Sequence, residues 1–147
     1  MSQVGEASYA LDWLNRIDAL RRTDPRYSCH AAAVHTEANR YTNVAPYDGA
    51  VLPGPYINAS LIPPLPDAER GFPCIASQAP LPATYQTFFE HICTQKSRVI
   101  LNLTPLEERG ITKSDRYWPW DTASPLLIGP WSVALLSIES ASEAFPG

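Results

Sequence analysis

The ten residues NRYTNVAPYD, at positions 39–48, combine side chains that commonly bind other molecules. They include two tyrosines, two asparagines, one arginine and one proline. The stretch is too polar for a buried strand and too aromatic for an ordinary solvated loop. Tyrosine rings stack on other rings, and asparagine amides both donate and accept hydrogen bonds. The pattern therefore indicates a loop that holds a ligand.

Nucleophilic and metal-binding side chains are few. The chain has three cysteines, at positions 29, 74 and 93. An odd number without a regular spacing predicts no disulfide framework and suits a reducing compartment. Cys29 lies next to His30 and close to His35, but this spacing has no fourth ligand and does not fit a zinc site. We therefore predict no metal site.

Composition limits the classes of partner. A chain of 147 residues is long enough for one domain with a core. The net charge of −4 gives no general attraction to nucleic acid or to anionic membranes, although a local anion site remains compatible with it. The start, MSQVGEASYA, lacks the features of a signal peptide, and the apolar runs are too short to span a bilayer. We expect a cytoplasmic or nuclear protein that binds no nucleic acid.

Hydrophobic periodicity predicts helices alternating with short strands. Nine of the 15 prolines lie between Pro46 and Pro82, so this region should consist of loops and short strands. Apolar residues at helical spacing predict helices at 7–22 and 83–95 and a short helix within 27–38. Apolar or alternating runs predict strands at 56–62, 74–77, 98–104 and 131–137. The alternation is typical of an α/β or α+β sheet domain.

Four stretches together resemble the catalytic domain of the protein tyrosine phosphatases. In family order they are NRYTNVAPYD (39–48), YINASLI (56–62), IASQAPLPATYQTFFEHI (75–92) and EERGITKSDRYWP (107–119). The resemblance implies an α/β (α+β) fold, a twisted mixed sheet with flanking helices. It divides the chain into a helical lead-in, residues 1–38, and the N-terminal portion of a phosphatase domain, residues 39–147. The C-terminal part of that fold is expected to be missing.

The resemblance also implies a reaction. A protein tyrosine phosphatase is a hydrolase that removes phosphate from phosphotyrosine in proteins and peptides, as in signalling. A cysteine thiolate attacks phosphorus and forms a cysteinyl phosphate, and an aspartic acid protonates the leaving group. A backbone loop at a helix N-terminus holds the phosphate and lowers the pKa of the thiol. The reaction needs no metal and no cofactor.

Five residues receive roles from this resemblance. Tyr41 would line the phosphotyrosine pocket, and Asn43 would bond the backbone of the substrate peptide. From the residues alone, a packed tyrosine and an asparagine turn remain alternatives. Arg40 would hold the loop itself. Glu108 and Lys113 would support the active site, with a solvated charged loop as the alternative.

The cysteine nucleophile motif of the family, H-C-x-x-G-x-x-R, does not occur in the 147 residues. Cys93 comes nearest, because Arg98 follows it, but the spacing is one residue short and the His and Gly are absent. We interpret Cys93 as a structural residue of its helix. Asp121 follows the YWP segment and is not expected to be the general acid. The sequence thus predicts no catalytic residue in this chain.

Two functions fit these observations. The first is the substrate-recognition half of a phosphatase, inactive by itself. The second is a non-catalytic, pseudophosphatase-like module that binds phosphotyrosine or another protein. In either case, an incomplete sheet would leave apolar faces uncovered, so the chain is expected to self-associate.

Overall fold

The structure, a computed structural model, describes residues 3–64 and 71–139. The chain divides into two compact units, Met1–Gln78 and Ala79–Gly147. Each unit has its own small set of buried residues. None of the described helices is both long enough and apolar enough to cross a membrane.

The first unit begins with two helices. Helix α1 (Gln3–Thr23) contains the predicted helix and begins earlier. It ends where Asp24 starts a 3-10 turn, Pro25–Tyr27, because proline disfavours helical geometry in the residue before it. Helix α2 (His30–Val34) and the 3-10 turn Thr36–Ala38 confirm the short predicted helix.

The strands of the first unit form one antiparallel pair. Strand β1 (Ala59–Ile62) is shorter than the predicted strand at 56–62, whereas β2 (Cys74–Ser77) has the predicted bounds. The two strands pair from Ala59 opposite Ser77 to Ile62 opposite Cys74. Small and aliphatic residues are buried beside this pair: Ala32, Ala38, Leu52, Ile57 and Ala59.

The second unit is built around helix α3 (Tyr85–Thr94). Its Phe88 ring lies 5.1 Å from the ring of Tyr117, edge to face, and both residues are buried. Two hairpins complete this unit. Strands β3 (Glu107–Glu108) and β4 (Ile111–Thr112) form the first, and β5 (Leu126–Ile128) and β6 (Trp131–Val133) form the second.

The prediction of a strand at 98–104 was wrong. The structure leaves these seven residues outside any strand, and Val99, Leu101 and Leu103 are exposed. The apolar run identified a segment suited to burial between layers, but a strand also needs a neighbour to pair with. The described strands form three two-stranded antiparallel sheets, where the sequence had suggested one mixed sheet.

Candidate functional site

The loop at 39–48 is anchored by the side chain of Asn39, which makes four hydrogen bonds. Its Nδ2 donates to the carbonyl oxygens of Ala32 and His35, each at 2.9 Å. Its Oδ1 accepts from the hydroxyl of Tyr56 at 2.7 Å and from Nδ2 of Asn58 at 2.9 Å. Asn39 therefore joins α2 to the segment that leads into β1.

Two further amides tie the loop to the β1–β2 pair. Asn58, which is buried, also donates from Nδ2 to the carbonyl of Val44 at 2.7 Å. Gln78 follows β2, and its side chain hydrogen-bonds to the backbone of the residues on both sides of Asn39. Its Nε2 donates to the Ala38 carbonyl at 2.7 Å, and its Oε1 accepts from the Arg40 amide at 2.8 Å. These contacts fix the loop backbone at both ends.

Asp48 closes the loop by capping α2. Its Oδ2 accepts from the hydroxyl of Ser28 and, at 3.0 Å, from the His30 amide. Its Oδ1 accepts from the Ala31 amide at 2.9 Å. These donors, with the Ser28 hydroxyl the largest influence, lower the pKa of Asp48 below its usual value. The carboxylate thus satisfies amides at the start of α2 that have no partner within the helix.

Tyr56 forms a half-buried support beneath the loop. Its ring stacks on the ring of His35, with centroids 5.0 Å apart and an interplanar angle of 13°. Burial of the hydroxyl raises the pKa of Tyr56, because the charged phenolate would lose water. The neutral hydroxyl remains a donor to Asn39.

Tyr41 and Asn43 project from this braced loop. Both are exposed, Tyr41 to 41%. Both line a pocket of about 470 Å³ between α2 and the loop. Within the described part of the chain, neither side chain hydrogen-bonds to another residue. The alternative of an asparagine turn closed by the Asn43 side chain is thus not what the structure shows, and both side chains are free to contact a ligand.

Arg40 lies between Asn39, which anchors the loop, and Tyr41, which is exposed on it. The residue is half-buried, and its backbone amide donates to Gln78. The structure therefore ties its backbone to the end of β2, directly beside Tyr41.

Glu108 and Lys113 lie in the second unit, on and beside the β3–β4 hairpin. Lys113 Nζ lies 4.0 Å from Glu108 Oε2, and the Lys113 amide donates to the Leu106 carbonyl at 2.9 Å. Glu108 is the more exposed of the two side chains, at 59% against 27%. The hairpin thus presents an ion pair at the surface.

Comparison with known proteins shows which family this chain belongs to. A family model described as protein-tyrosine phosphatase matches residues 35–145, more than half of the chain. This chain belongs to the protein tyrosine phosphatase family. The human tyrosine-protein phosphatase non-receptor type 13 is 45% identical over 85 residues, which are 55% of this chain and 3% of that protein.

Solved phosphatase structures share the fold. The catalytic domain of human protein tyrosine phosphatase non-receptor type 18 matches with a TM-score of 0.81 and 25% identity, over 96% of this chain and 53% of that one. Type 18 in complex with HER2-pY1248 phosphopeptides matches with a TM-score of 0.71 and 27% identity, over 84% and 48%. The chain thus spans about half of the phosphatase structures that it matches, and between 3% and 14% of the curated relatives.

The cysteines of this phosphatase chain occupy separate elements. Cys29 precedes α2, Cys74 begins β2, and Cys93 lies on α3. Cys93 is exposed on α3, outside the buried face that Phe88 and His91 form. Among the described residues, no group of three or more His, Cys, Asp or Glu could hold a metal ion.

Asp121 has a local structural role in the phosphatase chain. Its Oδ1 accepts from the amides of Ala123 and Ser124, each at 2.9 Å. This is the hydrogen-bonding pattern of an aspartate turn, in which the side chain closes a loop on its own backbone. The carboxylate is therefore engaged in holding the loop before β5.

Sequence reasoning gave Asp48 no role, and it did not predict which side chains would meet at Asn39. The composition did hint at a hydrogen-bonded loop, since Asn, Gln and Asp residues cluster in and after it. Their partners lie up to 40 residues apart, so spacing alone did not reveal which groups would meet.

Proposed function

We propose that this chain is the substrate-recognition half of a protein tyrosine phosphatase that hydrolyses phosphotyrosine in proteins. Family membership and the similarity to a phosphatase solved with phosphopeptides support the substrate class. The reaction would proceed through a cysteinyl phosphate formed by a cysteine that these 147 residues do not supply in its family motif. This chain would bind and orient the substrate and contribute no catalytic residue.

One observation carries the proposal: Tyr41 and Asn43 are presented together, free and exposed, by a loop whose backbone is fixed. In the proposed complex, Tyr41 packs on the ring of phosphotyrosine, and Asn43 bonds the backbone of the peptide. Aromatic contact of this kind contributes about 0.5–1.5 kcal/mol beyond the area that it buries. A fixed loop also loses little conformational entropy on binding, which favours affinity.

The remaining assigned residues would support the site. Arg40 holds the loop through its backbone contact with Gln78. Glu108 would orient a phosphate-binding arginine, and Lys113, whose Nζ lies 4.0 Å from Glu108 Oε2, would support the active site beside the loop that carries the general acid. We also propose the division into a lead-in, residues 1–38, and a phosphatase portion, residues 39–147.

Partner and location follow from charge and cysteine chemistry. A net charge of −4 favours peptide partners over nucleic acid. Cys29, Cys74 and Cys93 are all unpaired thiols, which supports a cytoplasmic or nuclear location. The proposed partners are therefore phosphotyrosine-containing proteins of a reducing compartment.

Peptide binding to the 147-residue chain tests the recognition role. A fluorescent phosphotyrosine peptide, its phosphoserine counterpart and the unphosphorylated peptide are titrated with the chain and followed by anisotropy. We expect the phosphotyrosine peptide to bind most tightly and Tyr41→Ala to remove most of that preference. Phe72→Ala serves as the control, because Phe72 is an exposed aromatic residue outside the pocket. Equal binding of all three peptides to the unchanged chain would contradict the proposal.

A non-catalytic phosphotyrosine-binding module is the second candidate. The observation that favours it is the absence of H-C-x-x-G-x-x-R from the sequence, together with the dispersal of the cysteines over three elements. Both candidates predict that the purified chain does not hydrolyse p-nitrophenyl phosphate. Sustained turnover that disappears in Cys93→Ser would overturn this prediction. Reading the transcript downstream of residue 147 for H-C-x-x-G-x-x-R separates the candidates, since the first requires this motif and the second does not.

A further inference from the structure

The pocket beside Tyr41 combines small apolar residues with uncharged polar ones. Its helix side includes Ala32 and Ala33 of α2, and its loop side includes Val44 and Ala45. Its volume of about 470 Å³ lies within the range of small-ligand sites, about 300–1,000 Å³. Alanine walls leave room where longer side chains would fill the space. The pocket is thus shaped to receive a side chain from outside.

The pocket also lacks charge. In the part of the chain that the structure describes, none of its lining residues is Asp, Glu, Lys, Arg or His. The nearby Asp48 carboxylate follows the lining residue Tyr47 and faces the start of α2. A phosphate dianion placed here would meet no cationic side chain among the lining residues and would lie near an anion. The pocket therefore suits an uncharged group, and the phosphate itself must be held elsewhere.

We propose that this pocket receives an uncharged aliphatic side chain of the substrate peptide, at a position flanking the phosphotyrosine. The inference rests on the proposed function and adds to it a preference for sequence around the phosphotyrosine. Continuity with the proposed recognition residues supports this occupant, since Tyr41 and Asn43 both line the pocket. Because Asn43 lines the pocket, a peptide whose backbone is bonded by Asn43 would pass beside it, and a neighbouring side chain could enter it.

Ala33 offers the sharpest test of this arrangement. It lines the pocket and is exposed, so a longer side chain is accommodated there without disturbing a buried position. Ala33→Lys places a cation at the pocket, and Ala33→Glu places an anion there. Val34 supplies matched controls, because it is the next residue of the same short helix, is 56% exposed and does not line the pocket.

The experiment measures the affinity of the 147-residue chain for short phosphotyrosine peptides. Each flanking position is in turn Leu, Asp, Lys or Ala, and binding is followed by anisotropy. For the unchanged chain, we expect Leu at one flanking position to bind about fivefold to tenfold more tightly than Asp or Lys. Ala33→Lys should shift the preference at that position to Asp, and Ala33→Glu should shift it to Lys. Val34→Lys and Val34→Glu should leave the preference for Leu in place.

The outcomes separate this inference from the proposed function. If phosphotyrosine peptides bind more tightly than phosphoserine peptides but the Ala33 variants leave the flanking preference unchanged, the pocket inference is wrong and the recognition role stands. If the flanking preference switches but does not depend on phosphotyrosine, the pocket binds peptides and the phosphotyrosine assignment of Tyr41 is wrong. No peptide binding by the unchanged chain would overturn both.

Discussion

We propose that Tyr41 and Asn43 divide the recognition of a substrate, with Tyr41 contacting the ring and Asn43 the peptide backbone. A chimera of this chain with the catalytic half of a relative allows kinetics to test that division. Asn43→Ala should raise KM for a phosphotyrosine peptide by up to about tenfold, since one neutral hydrogen bond contributes about 0.5–1.5 kcal/mol. It should leave kcat on p-nitrophenyl phosphate nearly unchanged, because that substrate has no peptide backbone. Tyr41→Ala should impair the peptide more than the small substrate.

Asn15→Ala, on the exposed surface of α1, is the control for these variants. A fall in kcat on the small substrate that equals the fall on the peptide would show that Asn43 takes part in the chemistry or in folding. The assignment of the loop to recognition would then be wrong.

Asp48 links the stability of the first unit to pH. Its pKa is lowered in the folded chain, so its contribution is present above the unfolded pKa, about 3.9, and is lost as pH falls through the folded value. Asp48→Asn should reduce the free energy of unfolding at neutral pH by about 1 kcal/mol, since the capping acceptors are weakened. The difference from the unchanged chain should shrink below about pH 4.

Urea unfolding followed by circular dichroism measures the effect of Asp48→Asn. Asp18→Asn provides a control, because Asp18 makes an exposed ion pair with Arg22 of the kind that contributes little. A destabilisation by Asp48→Asn that stays constant from neutral to acidic pH would contradict the capping role.

At the scale of elements, a comparison of two hairpin glycines distinguishes the cost of a strained backbone from the cost of a steric clash. Gly110 in the β3–β4 turn has φ +76°, and a Cβ there would meet no atom within 4 Å. Gly129 in the β5–β6 turn has φ +53°, and a Cβ there would meet the side chain of Gln86. Each Gly→Ala change should cost about 1 kcal/mol, the cost of left-handed backbone in a residue with a Cβ.

The side chain of Gln86 determines whether Gly129→Ala destabilises the chain more than Gly110→Ala does. It is exposed, and the atoms that a Cβ would meet belong to the outer part of its flexible side chain, so the side chain can rotate away. Adding Gln86→Ala should therefore change the effect of Gly129→Ala by less than about 0.5 kcal/mol in urea unfolding. A much larger relief would mean that Gln86 is held in place by packing.

Local sequence patterns predicted the helices and the short paired strands. Helix α3 follows from apolar residues at positions 85, 88, 89 and 92, and β2 begins and ends where predicted. The same reasoning failed at 98–104, where the apolar run carries no information about a pairing partner distant in sequence. It identified Tyr41 and Asn43 through family resemblance but not the contact between Asp48 and α2, because that contact joins residues 17 and 18 positions apart.

At the scale of the whole molecule, the second unit carries a run of exposed apolar side chains. Val99, Leu101 and Leu103 are 80%, 76% and 82% exposed. Contiguous apolar surface of this kind favours association, since each Å² of apolar surface buried between two chains stabilises the complex by about 25 cal/mol. We expect the chain to self-associate in a concentration-dependent way in sedimentation velocity, and Leu101→Lys to shift it towards monomer.

Thr122→Lys, at an exposed polar position, is the control for the added charge. A chain that stays monomeric over the measured concentrations, or that responds equally to both lysines, would show that this segment does not drive association.

The four hydrogen bonds of Asn39 also bear on how the protein ages. Spontaneous loss of an asparagine amide requires the backbone nitrogen of the next residue to attack the side-chain carbonyl carbon. Here the Arg40 nitrogen is held by Gln78, and the Asn39 amide is held by Ala32 and His35. Asn39 should therefore resist deamidation during storage longer than the exposed Asn43, which mass spectrometry of aged samples can measure. Once converted to aspartate, it would face two carbonyl oxygens with no amide to offer them, so chemical ageing at this single atom would loosen the loop from α2.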